Sequence, residues 1–129
     1  MPAAISCVTL PVEDLGRSLA FYRDGLGFTP EEQDEEHISF DIDGVYLVLL
    51  ERGEFSNYVE RLGARPASRG TAETILSYFA SDRADVDAVM GQAQRAGAQI
   101  VAANDDDGVY SGYFTDPDGH TWEVLFDED

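Results

Sequence analysis

Two periods of apolar and polar residues run along this chain, and the switches between them mark out its elements. Ile5 to Leu10 is a short apolar run that halts at Pro11, which predicts a buried strand entering a turn. Asp14 then offers a helix N-cap, and Leu15, Leu19 and Tyr22 recur at the spacing of one helix face until Gly25 and Gly27 end it. His37 to Ile42 and Val45 to Leu50 read as strands joined by a tight Asp43-Gly44 turn, the pattern of a hairpin. Residues 51 to 71 are polar and hold Gly53, Gly63, Pro66 and Gly70, so they read as a connector with one helical turn around Phe55 to Leu62. Beyond it, Thr74 to Phe79 predicts a strand. Asp85 caps a helix with an apolar stripe of Val86, Val89, Met90 and Ala93, closed by Gly97. Gln99 to Ala102, Val109 to Thr115 and His120 to Phe126 complete the pattern as strands.

The two halves match. Asp41-Ile42-Asp43-Gly44 feeding Val45 to Leu50 repeats as Asp116-Pro117-Asp118-Gly119 feeding His120 to Leu125, with 41 opposite 116 and 50 opposite 125. Each half reads strand, helix, then three strands, which predicts an α+β chain of two βαβββ repeats. The first module covers about residues 4–51, the connector 52–71 and the second module about 72–127. One such unit cannot bury both faces of its sheet, so the expectation is a single domain, 1–129, in which a pseudo-twofold mixed sheet encloses a cleft.

Composition narrows the classes of partner. A length of 129 residues allows a real core, with roughly two-thirds of the unfolded surface hidden. The lone Cys7 forms no internal disulfide, no run approaches the roughly 20 apolar residues of a membrane span, and residues 1 to 12 lack the pattern of a secretory signal. A cytoplasmic location is therefore expected. The chain has 26 acidic residues against eight arginines, no lysine and a net charge of −18. Such a surface repels phosphate backbones and anionic membranes, so no nucleic acid and no membrane is expected as a partner, whereas cations are attracted. Salt adaptation of the host accounts for the same acidity equally well. The clusters Glu31-Glu32-Gln33-Asp34-Glu35-Glu36 and Asp105-Asp106-Asp107 read as solvated loops.

Several segments together resemble a known superfamily. Leu10-Pro11-Val12-Glu13-Asp14-Leu15, with Ser18 to Arg23 and Leu26-Gly27-Phe28, is similar to the first-half signature of the vicinal oxygen chelate proteins, the glyoxalase and bleomycin-resistance group. Tyr113-Phe114-Thr115-Asp116-Pro117-Asp118-Gly119-His120-Thr121-Trp122-Glu123 is similar to the second-half signature, and Val86-Asp87-Ala88 and Ala96-Gly97-Ala98 extend the likeness over nearly the whole chain. These residues also have structural reasons. Pro117 and Gly119 shape a turn, while Phe21, Tyr22 and Trp122 suit a helix and sheet core.

The resemblance raises the question of a metal. Metal-dependent members such as glyoxalase I place four ligands on cleft strands. Carried over, these positions fall on Cys7, Val48, Glu123 and a residue near Leu76 or Ser77. A divalent site needs three or four hard donors, and Cys7, Val48 and Glu123 supply one carboxylate and one thiol, which reads as a vestigial set. His37 and His120 are the only histidines, and neither falls at an expected metal position. No cofactor is therefore expected, the alternative being one divalent metal ion. Glu123 is left as a hydrogen-bonded carboxylate, a partner for a cationic ligand or, if the chain is an enzyme, its general base.

Metal-free relatives that resemble this chain include bleomycin-resistance proteins, small acidic dimers that sequester a cationic or aromatic antibiotic. The resemblance thus implies binding of an aromatic or cationic small molecule by a homodimer, with Cys7, His37, Tyr46, Val48, Tyr58, Tyr110, Tyr113 and Glu123 as ligand-binding candidates, Phe114 a further aromatic wall and Phe55 with Tyr58 a flap. Sequestration needs affinity but no transition-state groups, which favours binding over catalysis. The alternatives are a metal-dependent glyoxalase-like lyase, isomerase or dioxygenase, and a homodimeric interaction protein with no ligand.

Overall fold

Each apolar run finds a sheet to cover, and the computed structural model, which describes residues 1–128, places them in two compact units, Met1–Ser68 and Arg69–Asp129. Each unit holds one four-stranded mixed sheet with helices, so the chain is α+β and repeats the βαβββ order.

In the first unit β1 (Cys7–Val12), β2 (Pro30–Gln33), β3 (His37–Ile42) and β4 (Val45–Glu51) lie in the order β1-β4-β3-β2, with β1 parallel to β4 and the other pairs antiparallel. Alternation along the strands sends Leu10, Val12, Ile38, Phe40, Leu47 and Leu49 to one buried face. Phe21 and Tyr22 meet them from the helical segment that continues α1 (Leu15–Leu19), and Tyr22 stacks on Phe28, 5.7 Å between centroids. Asp14 caps α1 through the Arg17 amide, as its sequence position predicts. The helix then widens over Ala20–Gly25 into a π turn, in which the Leu26 amide reaches the Phe21 carbonyl at 3.0 Å. Asp43 (φ 49°) and Gly44 (φ 91°) form the two-residue hairpin turn, both left-handed, which Gly tolerates freely and Asp better than most residues.

The second unit repeats the plan with β5 (Ile75–Phe79), α3 (Arg83–Arg95), β6 (Gln99–Asp106), β7 (Val109–Thr115) and β8 (Thr121–Asp127) in the order β5-β8-β7-β6. Val86 and Ala93 of α3 are buried with Phe114, Trp122 and Val124 of the sheet, and Phe114 stacks on Trp122 at 6.1 Å. The Asp116 carboxylate is buried and accepts the amides of Asp118 and His120, which locks the turn before β8.

Five expectations need correcting. Strand β1 does not stop at Pro11 but runs to Val12; it is an edge strand of its sheet, where a missing N–H is tolerated. The connector holds a ten-residue helix, α2 (Arg52–Arg61), rather than one turn, because Glu51 caps it through the Gly53 and Glu54 amides. The cap of α3 is Asp82, not Asp85; Asp85 instead accepts the Ser81 amide from within the first turn. Part of the first acidic cluster is the edge strand β2, since strand pairing with β3 outweighs its polarity. Asp105 and Asp106 likewise belong to edge strand β6, with Asp105 bound by both Nη1 and Nη2 of Arg83 at 2.9 and 3.0 Å. No helix among the described residues is long and apolar enough to cross a membrane.

Candidate functional site

Both sheets have a second face that their helices leave open, and its chemistry follows from strand alternation. In the first unit that face carries Cys7 and Thr9 of β1, Tyr46, Val48 and Leu50 of β4, and His37 and Ser39 of β3. A hollow of about 280 Å³ lies over it, lined by Cys7, Glu31, Glu32, His37, Ser39, Tyr46 and Val48. Four sequence candidates, Cys7, His37, Tyr46 and Val48, are therefore brought together. Two others that sequence reasoning missed, Glu31 and Glu32, come from the edge strand β2. The negative charges of Glu31 and Asp41, and a hydrogen bond to Glu31, raise the pKa of the Tyr46 hydroxyl, so it stays neutral and donates. His37 Nδ1 lies 2.9 Å from Asp34 Oδ1, which fixes the ring's orientation at the rim. Cys7 is exposed, with its sulfur 3.6 Å from Thr9 Oγ1. The hollow thus joins an aromatic and apolar floor to an acidic wall.

In the second unit the open face centres on Glu123. Register sets Ser77 and Tyr113 beside it on either flank, and both donate: Ser77 Oγ to Oε1 at 2.9 Å and Tyr113 OH to Oε2 at 2.6 Å. The bond to Glu123 raises the pKa of the Tyr113 hydroxyl. Two charge-assisted bonds hold the carboxylate in one orientation. Ser77 was named in the sequence only as a possible ligand position, and its role as a donor follows from pairing that no sequence pattern prints.

Three candidate positions do not join either face. Tyr110 lies on the helix side of β7, where its hydroxyl reaches Asp87 Oδ1 of α3 at 2.6 Å and Arg83 sits 4.9 Å above its ring; three residues from Tyr113, it must face the opposite way. Phe114 is buried on that same helix side. Tyr58 lies on the outer surface of α2, 59% exposed, with Arg61 5.0 Å above its ring. The proposed flap residues Phe55 and Tyr58 are thus parts of a regular helix.

The strand register also locates the fourth position implied for a metal. Cys7 pairs with Tyr46 in the first sheet, and the repeat of Tyr46 is Thr121, whose partner on β5 is Ile75. The counterpart of Cys7 is therefore Ile75, not Leu76 or Ser77. The four positions hold a thiol, two aliphatic side chains and one carboxylate, and such a set does not fit a divalent ion. Among the described residues no group of three or more His, Cys, Asp or Glu side chains is placed to hold a metal.

Comparison with known proteins agrees with this architecture. Residues 4–124 match the family model described as the Glyoxalase/Bleomycin resistance protein/Dioxygenase superfamily. No curated protein matches the chain in sequence. Among solved structures, the chain is similar to a glyoxalase-related enzyme from Fulvimarina pelagi, with 28% identity, a TM-score of 0.85, and coverage of 97% of this chain and 88% of that one. It is similar to lactoylglutathione lyase from Agrobacterium tumefaciens, at 26% identity, a TM-score of 0.77 and coverage of 98% and 95%. The fosfomycin resistance protein FosX from Mesorhizobium loti shares the fold, with 19% identity, a TM-score of 0.71 and coverage of 98% and 93%.

Proposed function

We propose, from the premise that this chain belongs to the Glyoxalase/Bleomycin resistance protein/Dioxygenase superfamily, that it is a metal-independent binding protein for a small aromatic or cationic molecule. The observation that supports this reading is the hollow on the first sheet, where Tyr46 and Val48 form an apolar floor and Glu31 and Glu32 an acidic wall. Aromatic surface with a few placed polar groups suits a flat ligand, and carboxylates select for positive charge. At about 280 Å³ the hollow falls just below the roughly 300–1,000 Å³ of drug-sized sites, which suits a small ring system. The net charge of −18 raises the local concentration of cations around it.

Proflavine, a planar fluorescent cation, tests the proposal. It should bind in the presence of EDTA, and Glu31→Gln with Glu32→Gln should weaken it by about tenfold, the effect of losing charge-assisted contacts. Unchanged binding in that double variant would refute the site.

The enzyme reading draws on the 26% identity to a lactoylglutathione lyase and on Glu123. It requires turnover of the methylglyoxal and glutathione adduct with added nickel or zinc. We expect none, because Val48 and Ile75 occupy two of the four donor positions.

A further inference from the structure

We propose that strand β5 is the contact through which two copies of this chain join, edge to edge and antiparallel about Ser77. The inference needs neither the hollow nor any ligand. A free sheet edge invites pairing with another chain, and folded proteins blunt such edges with charges, prolines and bulges. Of the four edges that the described residues form, three are blunted in this way. Strand β1 carries Pro11. Strand β2 carries Pro30, Glu31 and Glu32 with a register shift beside them, and β6 carries Asp105 and Asp106 with a register shift between Ile100 and Ala102. Strand β5 has none of these devices: its register with β8 is continuous, and residues 74–81 hold no charge and no proline. Ile75, Tyr78 and Phe79 stand 59%, 42% and 77% exposed on it, and side chains of that size gain by being covered.

The backbone supplies the register. Ala80 donates its amide to the Leu125 carbonyl at 2.7 Å, so by alternation Leu76 and Tyr78 also point their backbone groups at β8, and Ile75, Ser77 and Phe79 point theirs outward. An antiparallel second copy centred on Ser77 sets Ser77 against Ser77 and Ile75 against Phe79, so that every outward N–H meets an outward C=O. The same register lays the Ile75 side chain beside the Phe79 ring, an aliphatic and aromatic cross-strand pair. A second copy fits this strand better than a basic partner does, because a basic partner is drawn to the acidic surface and the run 74–81 offers it no charge. Twofold pairing uses both β5 edges and the blunted edges stop further growth, so the assembly closes as a dimer. Glu73 and Asp82 bound the run, and antiparallel pairing brings the 73 end of one copy to the 82 end of the other, so salt should tighten the contact.

The test is sedimentation equilibrium of the full chain, with amide hydrogen exchange on the same samples. In 1 M KCl the chain should form a dimer whose population rises with concentration, and in 0.1 M KCl that dimer should be about tenfold weaker. The Ile75, Ser77 and Phe79 amides should exchange more slowly as the dimer fills. Phe79→Lys lowers the repulsion between chains of net charge −18, yet it should weaken the dimer by about a hundredfold, because it blunts the edge. Val101→Lys on β6, also exposed, should leave the dimer unchanged. The exchange pattern of the unaltered chain stands even if Phe79→Lys does not fold. The proposal is overturned by a chain that sediments as a single copy in 1 M KCl, or by a dimer that Phe79→Lys leaves intact. It is overturned equally if those three amides are protected to the same degree at every concentration, which would place their cover within the same chain. Failure of proflavine to bind would remove the hollow reading and leave each of these results unaltered.

Discussion

Leu49 and Val48 are neighbours on β4 with opposite fates, since Leu49 is fully buried against the first helix while Val48 faces the hollow. Leu49→Ala should therefore cost about 2–5 kcal/mol, and Val48→Ala under about 1 kcal/mol, in urea unfolding. Equal losses would show the face assignment to be wrong. Gly112 makes a second residue-scale case. A Cβ added there would lie 2.7 Å from Met90 Sδ, closer than atoms pack. Met90 is flexible and can turn aside, so Gly112→Ala should cost about 1 kcal/mol, whereas Gly112→Leu should cost about 3 kcal/mol by the same assay. Residue-scale reading from sequence had a clear limit. Tyr110 and Tyr113 look alike as aromatic candidates, yet an odd spacing on one strand sends them to opposite faces. Glu31 and Glu32 read as part of a solvated loop because a short polar edge strand has no apolar alternation. The repeat itself was the available signal, because it calls for three strands after the first helix and only two of them were given residues.

At the scale of elements, helix α3 depends on its first turn. Asp82 accepts the Asp85 amide at 2.7 Å, so Asp82→Ala should cost about 1 kcal/mol of stability in thermal or urea unfolding. Asp85 in turn accepts from the Ser81 amide at 3.0 Å and from the Tyr78 hydroxyl at 2.8 Å, and the first of these bonds leads in lowering its pKa below the ordinary value. Asp34 is lowered in the same direction, chiefly by the amides of Glu36 and His37. A carboxyl whose folded pKa is depressed contributes stability above its unfolded value, and that contribution fades as pH falls through the folded one. The folded chain should therefore lose stability below about pH 4, and Asp85→Asn should flatten part of that fall in acid-unfolding curves. Both helices of the βαβββ repeats were legible from spacing alone. Helix α2 was not, because its ten residues include no buried side chain and so print no apolar stripe.

The whole molecule is dominated by its charge. With a net charge of −18 on 129 residues and no lysine, self-repulsion opposes the compact state at low ionic strength and is screened within about 10 Å at 0.1 M salt. Moving from 10 mM to 1 M KCl should raise the melting temperature by about 5 °C or more, read by circular dichroism. A melting temperature that stays flat would mean the acidic groups are already neutralised within the fold. The fold was legible at this scale because one turn and strand recur in both halves, and a duplication fixes topology more firmly than any single element does. The π turn after α1 bears on how that inheritance can drift. A π turn holds one residue more than the α turn it replaces, so the loss of one position between 20 and 25 would let the segment return to ordinary α geometry. Helix α3, which has no such widening, lacks that slack: a one-residue deletion inside it turns every residue on one side of the cut by about 100° relative to the other, so the two halves of the duplication differ in where a change of length can be absorbed.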